Sequence, residues 1–172
     1  MMTDRPTTLL AGRRERIERI LGRPMAGPEP GSDEPIPDDA RRYLLGEGQD
    51  LYWNELEWEH ITDEEALEEG PITELTFPGL LAFMRGLLLS EVMPDSLSPA
   101  NPRPLIVEDM LKFLAGRVVE LEDSLTEPDS EDESRHRAEL EMTSALVDRV
   151  FYVYYGLTTE DIERVGAAQA SR

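Results

Sequence analysis

The sequence has no cysteine, one lysine and few aromatic residues, and it holds no apolar run long enough to cross a membrane. Without cysteine there is no disulfide framework, no thiolate nucleophile, and no zinc or iron–sulfur centre built on sulfur. The most apolar stretch, residues 77–93 (FPGLLAFMRGLLLSEVM), is shorter than the roughly 20 residues a span requires, and Arg85 and Glu91 interrupt it. It reads as a buried helix. The N-terminus lacks the apolar core of a secretion signal, which predicts a cytoplasmic protein. Positive charge is also scarce: 17 basic residues face 37 acids, for a net charge of −20. Nucleic-acid contact needs clustered Lys and Arg, so direct binding to nucleic acid is not expected.

The 172 residues suffice for one domain burying roughly 70% of its unfolded surface. Lys112 is the only lysine among the basic residues, and the rest are arginines. An acidic, lysine-poor surface suits a halophilic-type adaptation, a GC-rich genome, or a protein that imitates DNA in another protein's channel. The charge is unevenly spread. Residues 1–23 carry six arginines against three acids, a local net of +3, which leaves −23 on residues 24–172. Leu10, Ile17, Ile20 and Leu21 share a helical face within residues 8–21, so this N-terminal segment reads as a basic amphipathic helix. Its arginines suit an ordinary solvated face, or docking on the acidic body of its own chain or on an acidic partner. Residues 24–37 are rich in proline and glycine and read as a linker, followed by a helical domain over residues 38–172.

Within that domain, Asp38 and Asp39 favour a helix start, and Gly46 suggests a stop. Residues 50–62 (DLYWNELEWEHIT) group Leu51, Glu55 and Trp58, or Tyr52 and Leu56, at helical spacing, and a brief helix is expected at 63–69. Pro78 suits the first turn of an apolar helix over 78–93. Val107, Leu111, Leu114, Val118, Leu121 and Leu125 recur at alternating spacings of four and three, as do Leu140, Thr143, Val147, Val150 and Tyr154. The fold class predicted is therefore all-α: a helical bundle ending in an antiparallel αα-hairpin plus a short C-terminal helix. Gly156 stands where a left-handed C-cap is needed. Thr158 and Asp161 then have the spacing of a capping box that starts the last helix.

Residues 145–165 (ALVDRVFYVYYGLTTEDIERV) also resemble a phrase near the end of long adenine-specific DNA methyltransferases in fused restriction–modification enzymes. The match is carried by Asp148, Val150, Tyr155, Gly156, Leu157, Thr158, Glu160, Asp161 and Ile162. That family's Asn-Pro-Pro-Tyr motif, which holds a flipped adenine, is absent; residues 101–104 read Asn-Pro-Arg-Pro, and no glycine-rich cofactor loop follows a strand. The resemblance implies a stand-alone relative of an accessory helical region, one that packs against or regulates a DNA-modifying partner.

Two Glu-x-x-His pairs, Glu57–His60 and Glu133–His136, place a carboxylate and an imidazole on one helix face, as in carboxylate-bridged dimetal bundles. No serine nucleophile motif is present, and no acid can be singled out as a general acid or base. The function expected is that of a non-enzymatic protein-interaction (accessory) protein, associated with a restriction–modification or defence system. It needs no cofactor and binds a protein partner or a second copy of itself. Its contact residues would be Trp53, Trp58, Phe83, Leu87 and Leu88, since large apolar side chains anchor interfaces. The alternatives are a metal-binding helical bundle using Glu57, His60, Glu133 and His136, and an acidic DNA-mimic inhibitor.

Overall fold

The computed structural model of the chain describes residues 4–25, 38–58, 77–89, 104–126 and 133–170. Those residues form six helices and no strand: α1 (Arg5–Leu21), α2 (Asp38–Trp58), α3 (Pro78–Leu89), α4 (Pro104–Ser124), α5 (Glu133–Tyr154) and α6 (Thr159–Ala170). The fold is all-α. Among the described residues no helix is long and apolar enough to cross a membrane.

Helix α1 begins one turn earlier than its apolar pattern indicates. Asp4 caps it, accepting from the Thr7 backbone N–H at 3.3 Å and the Thr7 hydroxyl at 2.6 Å, and Pro6 lies in the first turn where no N–H is needed. It ends at Gly22, whose φ of 73° is left-handed. Ile17 and Leu21 are buried, and Met25 just beyond the helix is buried with them, so α1 belongs to the same core as the other helices.

Helix α2 is continuous through Gly46, against the expected stop there. Leu44, Gly48, Tyr52 and Leu56 recur every fourth residue as one buried stripe, and burial of that stripe outweighs the helix-weakening glycines. Gly48 has a packing role: a Cβ at this position would sit 2.8 Å from Met110 Sδ of α4. The helix expected at 63–69 lies outside the described residues, as do residues 90–93 of the longer apolar helix.

The start of α3 is capped from a distance. The Glu55 carboxylate of α2 accepts from the backbone N–H groups of Gly79 at 2.6 Å and Leu80 at 2.9 Å, placing negative charge at the positive end of the helix dipole. Phe77 enters the helix with a φ of 59°, a conformation costing a non-glycine residue about 1–2 kcal/mol, and its fully buried ring stacks on Tyr52.

Helix α4 buries Val107, Leu111, Leu114, Val118 and Leu121 of its expected stripe and adds Ile106 and Met110. On α5, Thr143, Val147 and Val150 are buried as expected, whereas Leu140 and Tyr154 are only partly so, and Met142, Leu146 and Phe151 join the core. The buried face is wider than a two-helix seam because α5 packs against both α3 and α4. Contacts between α4 and α5 run in opposite order along the two helices. Tyr154 near the end of α5 donates to Glu108 near the start of α4 at 2.9 Å, and Arg117 further along α4 lies 3.9 Å from Glu139 near the start of α5. The connecting residues 127–132 lie outside the described set.

Candidate protein-interaction surface

Adjacent positions of a helix point about 100° apart, so in α2 Tyr52 enters the core while Trp53 faces outward. Tyr52 is fully buried; Trp53 is 42% exposed, the most exposed of the large aromatics among the described residues apart from Tyr43. The Trp53 ring is nonetheless held on three sides. Its centroid is 5.0 Å from the Tyr52 ring and 6.4 Å from Phe113 of α4, both edge-to-face, and the Arg117 guanidinium carbon sits 4.8 Å from it. Such aromatic and cation–π contacts are worth about 0.5–1.5 kcal/mol each. A large amphipathic surface is thereby fixed at the protein boundary at low entropic cost to any later association.

A buried polar layer supports this ring. The Tyr52 hydroxyl lies 2.8 Å from Thr143 Oγ1 of α5, and burial pushes the Tyr52 phenol up, so it remains protonated. Arg117 pairs with Glu120 at 2.6 Å and approaches Glu139, a buried carboxylate that also meets Arg135 at 3.3 Å. Burial disfavours the Arg117 charge, but hydrogen bonds with Tyr52 and Glu120 outweigh that effect and raise its pKa. Arg117 Nε is buried without a hydrogen-bond partner, while its terminal nitrogens meet Glu120 and Glu139 and its guanidinium lies over the Trp53 ring.

Residues 145–165 have a different role in the structure: they hold α1. Asp148 accepts from Arg13 at 3.0 Å and Arg16 at 3.3 Å, and Arg13 also donates to the Ser144 hydroxyl. Arg14 lies over the Tyr155 ring at 5.4 Å, and Arg23 meets Asp161 at 2.7 Å. The basic N-terminal helix thus docks on its own chain, with the opposite charge it requires. The turn beneath it is built by capping alone. The Leu157 N–H bonds to Tyr152 O and the Gly156 N–H to Val153 O, the paired bonds of a Schellman motif, with Gly156 at a φ of 61°. Thr158 and Asp161 then exchange the two bonds of a capping box, at 3.1 and 3.2 Å. Arg23 first, and the Thr158 backbone next, hold the Asp161 carboxyl below its usual range.

Of the expected contact residues, Leu87 and Leu88 are buried in the core and Phe83 is partly buried against it. Trp53 is exposed, while Trp58 ends α2 and its side chain lies outside the described residues. Among the metal candidates, Glu57 near the end of α2 and Glu133 at the start of α5 are exposed. His136 is half-buried, with Nδ1 lacking a partner, and His60 lies outside the described residues. Among the described residues no three potential ligands cluster. The supports of Trp53 were not identified from the sequence. Phe113 and Arg117 stand at i and i+4 on one face of α4, a cation–aromatic spacing that could have drawn attention to them.

No protein-family model, no curated protein and no solved structure matches the chain.

Proposed function

We propose that the chain acts by binding another protein, with the Trp53 face as the contact and no chemical step of its own. The observation that carries this reading is the pairing of Trp53 exposure with rigid support: a ring 42% open to solvent yet flanked by Tyr52, Phe113 and Arg117. Tryptophan and arginine are the residue types most enriched where binding energy concentrates, and a ring already fixed loses little freedom on association. Apart from Trp53, the apolar residues expected to make contact are occupied inside the bundle or lie outside the described residues.

The partner class we propose is a DNA-modifying enzyme of the restriction–modification type, which rests on the resemblance of residues 145–165. Those residues also grip α1, so the proposed contact is set on α2 and α4, away from the phrase that suggests the partner.

A photo-crosslinking amino acid placed at position 53, in cells of the native host, tests the reading. The expected product is a discrete adduct with a DNA-modifying protein, formed from position 53 and not from exposed Glu163 on α6. Adducts only with a second copy of the chain would replace the proposed partner with self-association. Equal adducts from both positions would remove the Trp53 face as the contact.

A further inference from the structure

A cleft of about 310 Å³ lies between α3, α5 and α6, at the small end of the range that small-molecule sites occupy. Leu81 and Ala82 of α3, Val153 of α5 and Ile162 of α6 give it an apolar lining, and Arg85 and Arg149 bring two guanidinium groups to the same walls. In a chain of net charge −20, this places two guanidinium groups beside one apolar recess. Most arginines among the described residues are held by acids: Asp123, Asp148, Asp161, Asp109, Asp39 and Glu133 each take one or more. Arg85 differs, being exposed and making no ion pair with another described residue.

We propose that this cleft binds a small carboxylate with an apolar body, its charged head met by Arg85 and its chain lying on Leu81, Val153 and Ile162. The recess matches such a ligand in both of its parts, since apolar walls reward burial of a hydrocarbon chain and a guanidinium offers paired donors to a carboxylate. Tyr152, also in the lining, adds a further donor. Burial first, and the charge of Asp148 second, push its phenol up to about 12, so it keeps its proton at neutral pH. The overall negative charge does not forbid an anion here. The charged residues in the lining are Arg85 and Arg149, and the nearby Asp148 is already paired with Arg13 and Arg16. This inference is independent of the Trp53 reading and concerns a separate face of the bundle.

Calorimetric titration of the full chain with octanoate, octylamine and octanol in turn tests it. Octanoate is expected to bind saturably, octanol about tenfold or more weakly, and octylamine not at all, a difference of the size one charge-assisted hydrogen bond supplies. Arg85→Gln, at an exposed position, should weaken octanoate about tenfold and leave octanol unchanged. Ala82→Trp, which fills the recess while keeping Arg85, should abolish both. Octanol binding as tightly as octanoate, octanoate binding unaffected by either substitution, or no saturable octanoate binding at millimolar concentration would each overturn the proposal. Circular dichroism of both variants confirms that losses are local.

Discussion

Arg23 and Asp161, 138 residues apart in sequence, meet at 2.7 Å, so the segment that ends α1 is fastened to the first turn of α6. The same carboxylate serves two purposes, completing the capping box with Thr158 and taking the guanidinium. Asp161 therefore couples a local helix start to a long-range contact.

Because Asp161 titrates below its ordinary value when folded, the sign of its pH effect is fixed. A carboxylate with a depressed folded pKa contributes stability that is fully present above its unfolded value, near 3.8, and is lost as pH falls through the folded value. Urea unfolding midpoints of the wild type and Asp161→Asn should differ at pH 7 and converge as pH drops below that value. A gap that stays constant with pH would mean the charge of Asp161 contributes nothing.

Glycine substitutions at two positions should have opposite signs. A Cβ at Gly156 meets nothing within 4 Å, so Gly156→Ala carries only the penalty of the left-handed backbone, about 1–2 kcal/mol destabilising. Gly46 also has open space around it but sits inside α2 with ordinary helical φ, so Gly46→Ala should stabilise by about 0.5–1 kcal/mol. Denaturant melts of the two variants check both values.

The buried pair Tyr52–Thr143 should show coupling. Removing the hydroxyl in Tyr52→Phe leaves Thr143 Oγ1 buried without this partner and should cost about 1–3 kcal/mol. The double variant with Thr143→Val should cost less than the sum of the singles, which a double-mutant cycle reads directly.

Core truncation gives the largest loss. Leu146 of α5 is fully buried, so Leu146→Ala should destabilise by about 2–5 kcal/mol and shift the thermal midpoint accordingly.

Much of this fold was written in local sequence patterns. The alternating four-and-three spacing from Val107 to Leu121 marks the buried face of α4, because a stripe that regular has no other way to leave water. Gly156, Thr158 and Asp161 declared a stop and restart, since the cap geometry lies within a few residues. Gly46 misled for the converse reason: the local signal for ending a helix is weak, and burial of Leu44, Tyr52 and Leu56 against distant helices overrides it. The direction of Trp53 was not legible either. Helical period groups residues into faces but does not say which face meets the core, and Tyr52 and Trp53 are chemically similar neighbours with opposite fates. Nor could the sequence pair Arg23 with Asp161, or Arg13 with Asp148; the excess of arginine before residue 24 fits a solvated face as well as a face docked on acids.

The Trp53 face is tested most directly by the affinity of the partner captured at position 53 for the wild type, Trp53→Ala and Arg117→Gln. The account predicts that Trp53→Ala weakens binding about thirtyfold or more, the scale of an interface hot spot, while its thermal midpoint falls by several degrees for the lost ring contacts and its circular dichroism stays that of the folded bundle. Arg117→Gln, which frees the ring without removing it, should fall between the two. Unchanged affinity in Trp53→Ala would contradict the account.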